Sequence, residues 1–319
     1  MVALERMYAL ERKPLNLIEL VGRARGGSLP ILAKADDGNY YFAKFANNPQ
    51  GPNVLFNEAV GTELYRAFGL PVPDWRPLLI TRSFISRNRI LFFNSKTMES
   101  RPPEPGLCFG SLSLGRGADL PLEALSGSEI GRVENRADFG LAWLLDICAR
   151  HCDDRQAVFV ETPNRRLRGI FIDHGHMFGG PDGTSNPYVV HPRYSDRRIY
   201  EETPVPEVPY DLVLRNLDAV WRCACRLPLD WQTDSALRSL ATSFDRMGDK
   251  TFLKMAKEAI SDCLTGKAGD RIIERGPEGW STRQEKCIEN LYRWRQRPTE
   301  LRRKPVQAAR VLGRFAVNL

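Results

Sequence analysis

The spacing of apolar residues changes along this chain, and that change limits the folds available to it. Residues 18–95 are rich in strand patterns, whereas the chain from about residue 133 onward has apolar residues at helical spacing. In the first part, the apolar runs 29–35 and 40–45 flank Asp37-Gly38, a pair typical of a tight hairpin turn. A strand-rich first part and a helical second part predict an α+β fold with two lobes.

Local patterns predict the individual elements and the domain boundary. Further strands are predicted at 75–80, 90–93, 157–161 and 168–172, and helices at 54–68, 137–150, 211–226, 235–247, 249–264 and 282–297. Residues 95–130 are rich in Pro, Gly and Ser and predict an irregular boundary, whereas 177–210 predict a long loop. We therefore expect a lobe over residues 1–112 and a helical lobe over 113–319.

Composition excludes several classes of protein. The chain has 319 residues, of which 42% are hydrophobic and 27% charged, enough apolar material for a sizeable core and too much for a disordered chain. Its apolar runs all fall short of the 18 residues expected of a membrane span. Glu5 and Arg6 lie where a secretory signal needs apolar residues, so we expect a cytoplasmic protein. The odd, scattered set of seven cysteines predicts reduced thiols.

The charge balance favours anionic partners without naming one. The net charge is +7, and many of the basic residues lie near the end of the chain, where a solvated helix face is the simpler interpretation. We find no helix-turn-helix, zinc-finger or aromatic-stacking pattern. The sequence therefore gives no specific sign of nucleic-acid binding.

Two features of the first part could contact a nucleotide. Gly26, Gly27 and Ser28 precede the first predicted hairpin, and glycines let backbone N–H groups approach phosphate oxygens closely. Lys44 lies inside an apolar strand, where an ammonium needs a partner if it is buried. Glu58, on the following helix, is a candidate for that partner, and Glu63 is the other acidic candidate on that helix. A plain turn and a solvent-facing lysine remain the alternatives at these positions.

Two acidic segments flank the predicted hairpin of the second part. Asp153 and Asp154 are followed by Arg155 between a helix and a strand, where an aspartate could accept a hydroxyl proton. Asp173 ends the next strand and Gly175 follows closely, a pattern that suits a Mg²⁺ ligand on a sharp bend. The order of glycine turn, strand lysine, helix glutamate and two aspartates is that of a kinase. Solvated turns remain the alternative for each aspartate.

The same segments resemble a known family, the HipA-like kinase domains of bacteria. The resemblance runs over residues 18–200 and rests on Gly26-Gly27-Ser28-Leu29-Pro30, Ala43-Lys44-Phe45, Gln50-Gly51-Pro52, Asn57-Glu58, Gly69-Leu70-Pro71-Val72-Pro73, Phe109-Gly110-Ser111, Asp153-x-Arg155-Gln156 and Ile172-Asp173-x-Gly175. It implies a protein-kinase-like fold and phosphoryl transfer from ATP with Mg²⁺.

The resemblance also implies roles for individual residues. Lys44 would contact the nucleotide phosphates and Glu58 would hold Lys44, while Gly26, Gly27 and Ser28 would cover the phosphates. Asp153 would be the catalytic aspartate. Beyond the resemblance, we expect Arg155 to offset charge in the catalytic loop. Asp173 would be the main metal ligand. The acceptor is expected to be a protein Ser or Thr hydroxyl, with a small molecule as the open alternative.

Two positions depart from the family pattern. His151 stands where relatives usually have Asn, and Val158 stands where kinases place the Asn that ligates a second metal ion. Gln156 is the nearby amide that could take over this ligation. These departures leave open a nucleotide-binding pseudokinase or an adaptor without phosphoryl transfer.

A metal-dependent hydrolase is the alternative with a different chemistry. His174 and His176 alternate beside Asp173, and imidazole with carboxylate can hold Zn²⁺ or Mn²⁺. Cys148 and Cys152 lie near His151, although their spacing is more typical of a buried stripe. The two possibilities differ in geometry. Convergence of Lys44 with the aspartates favours a nucleotide site, and convergence of the two histidines favours the hydrolase.

Overall fold

A computed structural model of the chain describes residues 13–24, 27–94, 99–115, 121–123, 125–153, 155–184, 199 and 207–264. The described part is a mixture of strands and helices, as predicted. The strands are β1 Leu15–Arg23, β2 Ile31–Ala35, β3 Tyr40–Lys44, β4 Trp75–Ile80, β5 Phe92–Asn94, β6 Glu99–Arg101, β7 Gly106–Leu112, β8 Gln156–Glu161 and β9 Leu167–Ile172. The helices are α1 Val54–Ala67, α2 Arg82–Arg87, α3 Gly127–Ile130, α4 Arg136–Cys148, α5 Tyr210–Ala224, α6 Asp234–Met247 and α7 Lys250–Leu264.

Some predictions lie outside these residues, among them the helix over 282–297 and most of the loop over 177–210. Among the helices that are described, none has the length and apolar character needed to cross a bilayer. Every cysteine with a described side chain is a free thiol.

Five strands close into a small barrel in the order β1-β2-β3-β7-β4. The β1–β4 contact is parallel and the other neighbours are antiparallel. The predicted hairpin is confirmed as β2 and β3, and Gly38 in its turn has a φ of 83°, a conformation that favours glycine. Alternate residues of these strands fill the barrel with its own apolar core.

Strand β7 corrects the prediction of an irregular stretch over 95–130, because it lies in the middle of the sheet between β3 and β4. Its Gly110 lies against Leu78 so closely that an added Cβ would be 2.2 Å from the leucine Cδ1. A glycine permits such a close contact, but it interrupts the alternation of apolar and polar residues from which strands are predicted. The strand predicted at 90–93 is confirmed in part, because the short strand β5 begins at residue 92, while residues 90 and 91 lie outside it.

Helix α1 packs into the helical part of the molecule. Its residues 54–65 are all buried, and its apolar side chains belong to the same core as those of α4, α5 and α6. Tyr65 and Phe171 meet with ring centroids 5.5 Å apart, which joins α1 to strand β9. The element that follows the barrel lysine is therefore anchored to the helices and to the β8–β9 hairpin.

The β8–β9 hairpin brings two distant segments to one place. Gln156 pairs with Ile172 in an antiparallel register, so the chain enters β8 and leaves β9 at the same end. Asn135 fixes the hairpin from the start of α4, because its side chain both donates to and accepts from the backbone of Gly169. Residues 153 and 173, twenty apart in sequence, are held near each other in this way.

A substitution at Gly61 would test the contact between α1 and the segment after β9. An added Cβ at Gly61 would lie 2.6 Å from the Cβ of His174 and 2.7 Å from Met177 Sδ. We expect Gly61→Ala to lower the free energy of unfolding by about 1–3 kcal/mol through overpacking, measured by urea denaturation. Gly22→Ala is the control, since nothing lies within 4 Å of its added Cβ. Equal stability of the two variants would contradict this packing.

Candidate active site

Lys44 is a buried cation at the end of β3, and it has two carboxylate partners. The residue is 9% exposed, so the solvent-facing alternative does not hold. Its Nζ donates to Glu58 Oε1 and to Asp173 Oδ1, the latter at 2.8 Å. Burial of an ammonium is costly unless it is paired and hydrogen-bonded, and these contacts supply the pairing.

The three charges shift one another's pKa values. Burial opposes the charge on Lys44, but Glu58 and Asp173 outweigh it and hold the lysine pKa above its usual value. Burial likewise opposes ionisation of Asp173, yet Lys44 holds the pKa of that carboxyl well below its usual range. Burial raises the pKa of Glu58 to about 7 against the opposing effect of Lys44. At neutral pH the cluster therefore has a charged lysine and an ionised Asp173.

Glu58 also fixes the backbone that follows Asp173. Its Oε2 accepts from the His174 N–H at 3.2 Å, and its Oε1 accepts from the Gly175 N–H at 2.9 Å. An added Cβ at Gly175 would lie 3.0 Å from Glu58 Oε1, so any other residue there would require the Glu58 carboxylate to shift. Asp173 itself has a φ of 58°, a left-handed conformation that turns the chain sharply at the end of β9.

Asn57, next to Glu58, holds the rest of this turn. Its Nδ2 lies within hydrogen-bond distance of three carbonyl oxygens, those of Gly175, Met177 and Gly180, at 2.9–3.1 Å. Sequence inspection noticed Asn57 only as part of a resemblance and gave it no role. Neighbouring polar residues on α1 thus bind one segment after β9 by side chain to backbone contacts.

The glycine turn is described in part. Gly26 lies outside the described residues, while Gly27 and Ser28 form a turn just before β2. Ser28 is 3% exposed. Gly27 lies directly against Gln50, because an added Cβ would be 2.6 Å from the Gln50 Nε2. The predicted cover of the phosphates therefore touches the loop between β3 and α1.

Asp153 lies at the surface beside His176. Its side chain is 45% exposed, and its Oδ2 is 3.9 Å from His176 Nε2. The backbone N–H of Cys152 donates to the His176 carbonyl at 3.0 Å, which links the segment before β8 to the segment after β9. Asp154 lies outside the described residues.

Arg155 was predicted to offset charge in the catalytic loop, and the structure shows a different partner for it. Its guanidinium is buried and makes two hydrogen bonds to the Asp146 carboxylate, one of them from Nε at 3.0 Å. It also donates to the carbonyl of Ile172 at 3.1 Å and lies 3.2 Å from His174 Nδ1. These contacts lie on both sides of Asp173, so Arg155 has the contacts of a positioning residue.

Asp146 and Tyr65 are members of this cluster that sequence inspection missed. Tyr65 donates to Asp146 Oδ1 at 2.7 Å, and its ring lies 4.7 Å from the Arg155 guanidinium. The available signal was an aspartate inside the apolar run Leu144-Leu145-Asp146-Ile147-Cys148, since a carboxylate on a buried helix face needs a partner.

The remaining metal candidates have different positions. Gln156 is the first residue of β8, and its side chain is exposed. It pairs with Ile172, the residue before Asp173. Val158 is 8% exposed within β8 and has no oxygen on its side chain to ligate a metal. The described residues contain no cluster of three or more His, Cys, Asp or Glu side chains that could hold a metal ion.

The two histidines of the hydrolase alternative lie in different surroundings. His174 is 1% exposed and packs on Tyr65 with ring centroids 4.6 Å apart. His176 instead meets Gln50 and Asp153. Because their rings do not converge, the geometry gives the hydrolase no support.

A cavity of about 380 Å³ lies elsewhere in the helical part. Its lining includes apolar residues such as Phe68, Leu145 and Val213 and the three lysines Lys250, Lys254 and Lys257. None of the predicted site residues lines it. The candidate site is therefore defined by the charged cluster around Lys44 and not by this cavity.

The buried ion pair between Arg155 and Asp146 predicts a strong dependence of stability on both partners. Arg155→Met leaves a buried carboxylate without its cation, and we expect the free energy of unfolding to fall by about 3–5 kcal/mol. The double variant Arg155→Met with Asp146→Leu should recover a large part of this loss. Urea denaturation of the single and double variants measures the coupling. Additive losses would contradict a direct ion pair.

The lowered pKa of Asp173 predicts that the fold loses stability at acid pH. Because its pKa is lower in the folded chain than in the unfolded one, its ionised form stabilises the fold above the usual aspartate pKa. This contribution declines as the pH falls below about 4 and is fully lost only below the lower pKa of the folded chain. The difference in unfolding free energy between wild type and Asp173→Asn should narrow over this range. The exposed Asp230→Asn serves as the control, and a difference that is independent of pH would contradict the pairing.

Comparison with known proteins gives a weak structural likeness. No protein-family model matches the chain, and no curated protein matches it. Two solved structures that resemble it are crystal structures of the Golgi casein kinase, the second with Mn and ADP bound. Their TM-scores are 0.35 and 0.34 at 12% identity, over 90% and 83% of this chain and 75% of each neighbour. These values are too low to assign a fold or a function.

Proposed function

We propose that the protein is an ATP- and Mg²⁺-dependent phosphotransferase with a two-lobed, protein-kinase-like architecture, related to the HipA-like kinases. The observation that carries the proposal is the buried Lys44 paired with both Glu58 and Asp173. A lysine that is fixed by a helix glutamate beside an aspartate on a sharp turn is the arrangement by which kinases orient nucleotide phosphates.

The chemistry of the donor groups fits a magnesium nucleotide. Asp173 offers a carboxylate oxygen, the kind of ligand that Mg²⁺ prefers, and its side chain is 28% exposed to an incoming ion. Its low pKa keeps it ionised at neutral pH. Lys44 supplies a positive charge for phosphate oxygens at the same place. ATP supplies the phosphoryl group and Mg²⁺ neutralises charge on the phosphates when both are bound.

Each residue then has a distinct task. Lys44 orients the phosphates, and Glu58 holds the lysine in place between the barrel and α1. Asp173 holds the metal ion, with Gln156 as a candidate additional ligand. Gly26, Gly27 and Ser28 cover the phosphates. All of these groups act through positioning and electrostatics.

Asp153 is the candidate for the acceptor side of the reaction. Its exposed carboxylate can accept the proton of an incoming hydroxyl, and its place beside the β8–β9 hairpin keeps it near Asp173. Arg155 supports this arrangement indirectly, since it donates to the Ile172 carbonyl before Asp173 and contacts the His174 ring after it. A protein Ser or Thr hydroxyl is the proposed acceptor, and a small-molecule alcohol is the alternative.

A nucleotide-binding pseudokinase is the second candidate, and one observation favours it. Val158 occupies the position of the second metal ligand of kinases and is an apolar, buried residue of β8. A site with fewer metal ligands would bind nucleotide yet transfer its phosphoryl group slowly. Turnover therefore separates the two candidates, whereas nucleotide binding does not.

Asp153→Asn tests the proposed chemistry. We expect turnover of ATP to ADP, measured with excess Mg²⁺, to fall by about 10²–10⁴-fold, since this is the usual contribution of a general base. The Kd for ATP, measured by calorimetry, should be unchanged because Asp153 does not hold the nucleotide. Asp230→Asn, an exposed change outside the site, should leave both values unchanged.

Two results would contradict the proposal in different ways. Equal turnover in wild type and Asp153→Asn would remove Asp153 from its role. Firm ATP binding without measurable turnover in wild type would favour the pseudokinase.

A further inference from the structure

Gln50 lies where three segments of the candidate site meet. Its Nε2 is 2.7 Å from His176 Nε2, and its side chain is in contact with the glycine turn at Gly27. His176 Nε2 is in turn 3.9 Å from Asp153 Oδ2. A continuous row of polar groups therefore runs from the glycine turn to the proposed catalytic aspartate.

The backbone around Gln50 is fixed to the segment after β9. The Gln50 N–H donates to Asn48 Oδ1 at 3.0 Å, and the Asn53 N–H donates to the carbonyl of Pro181 at 3.1 Å. Gly51 packs on the same proline, since an added Cβ would be 3.1 Å from the Pro181 oxygen. The loop thus presents the Gln50 amide from a rigid support, as a preorganised binding group requires.

His176 is placed between the two aspartates of the site. It is three residues after Asp173, and its carbonyl accepts from the N–H of Cys152, next to Asp153. Its side chain is 19% exposed, so the ring is held by its neighbours yet open to a ligand. An imidazole at this place can present an N–H to an oxygen atom that lies between the metal ligand and the proposed base.

The terminal phosphate of a nucleotide bound between the glycine turn and Asp153 would need hydrogen-bond donors, which the carboxylate that holds the metal ion does not supply. The phosphoryl group carries charge on three oxygens during transfer, and kinases stabilise that charge with metal ions and cationic groups. Among the described residues, no group of three or more His, Cys, Asp or Glu side chains forms a larger metal cluster around Asp173. N–H groups from side chains are the other class of group that stabilises such oxygens.

We propose that the Gln50 amide and the His176 imidazole bind the terminal phosphate of ATP, as N–H donors between the glycine turn and Asp153. This inference rests on the proposed function and names the groups that distinguish ATP from ADP. In the structure described the Gln50 amide donates to His176 Nε2, which therefore accepts. A phosphate oxygen would replace His176 as the acceptor of the amide N–H, and would itself accept from the His176 ring with Nε2 protonated. Lys44 would contact the phosphates that ATP and ADP share, and Asp173 would hold the Mg²⁺ ion bound to them.

The ratio of ATP affinity to ADP affinity tests the proposal. Calorimetric titration with each nucleotide in the presence of Mg²⁺ gives this ratio for wild type, Gln50→Ala and His176→Ala. We expect each variant to lose about 10- to 100-fold in ATP affinity with little change for ADP, the loss typical of one hydrogen bond to a charged group. Gln50→Glu, which replaces the amide donor with a repelling carboxylate, should lose more ATP affinity than Gln50→Ala.

Controls and opposing outcomes separate this proposal from the proposed function. Asn164→Ala, an exposed change at the far end of the β8–β9 hairpin, should leave the ratio unchanged. An unchanged ratio in Gln50→Ala and His176→Ala would overturn the proposal while leaving the nucleotide site intact. Tighter ATP binding in Gln50→Ala would also overturn it, because Gln50 would then obstruct the phosphate. Failure of wild type to bind either nucleotide would overturn the proposed function and this proposal together.

Discussion

The organisation of this molecule depends on one buried ammonium group. Lys44 lies in the barrel, Glu58 in the first long helix, and Asp173 after the β8–β9 hairpin, so the contacts of a single cation join three parts of the fold. Removing a charged group from water costs several kcal/mol, which only paired charges and hydrogen bonds offset. The backbone contacts of Glu58 with residues 174 and 175 provide part of that compensation. A stable fold and a preassembled site are thus consequences of the same interaction.

Helix α1 explains why these groups stay together. Its apolar side chains belong to the larger core, while the barrel has a separate core of its own. Asn57 and Glu58 hold the turn after β9, and Tyr65 contacts the buried pair formed by Asp146 and Arg155. The helix that carries the lysine's partner is therefore part of the same rigid structure as Asp173. A nucleotide would meet a site whose acidic side is already in position.

Sequence alone predicts the regular parts of this fold well and the close contacts poorly. The β2–β3 hairpin, helix α1 and the β8–β9 hairpin follow from periodicity and turn residues, and their bounds agree closely with the structure. Strand β7 was not predicted because Gly110, which lies closely against Leu78, interrupts the alternation of apolar and polar residues. Lys44 and Asp173 could be selected as candidates because a charged residue in or at the end of an apolar strand needs an explanation. Glu58 could be selected because it lies on the helix that follows Lys44. The partner of Arg155 could not be predicted from the sequence, since its contact with Asp146 depends on how α4 packs against the β8–β9 hairpin.

Stabilisation by ATP is the measurement that most directly tests whether Lys44 and Asp173 form a nucleotide site. The melting temperature of wild type, Lys44→Ala and Asp173→Asn would be followed as ATP is added, with and without Mg²⁺. A ligand that binds the native state raises the melting temperature, and the rise continues to grow with ligand concentration above the Kd. We expect a Mg²⁺-dependent rise in wild type that is lost in both variants. The absence of a rise in wild type at any ATP concentration, or an equal rise in all three proteins, would contradict the assignment of this cluster to nucleotide phosphates.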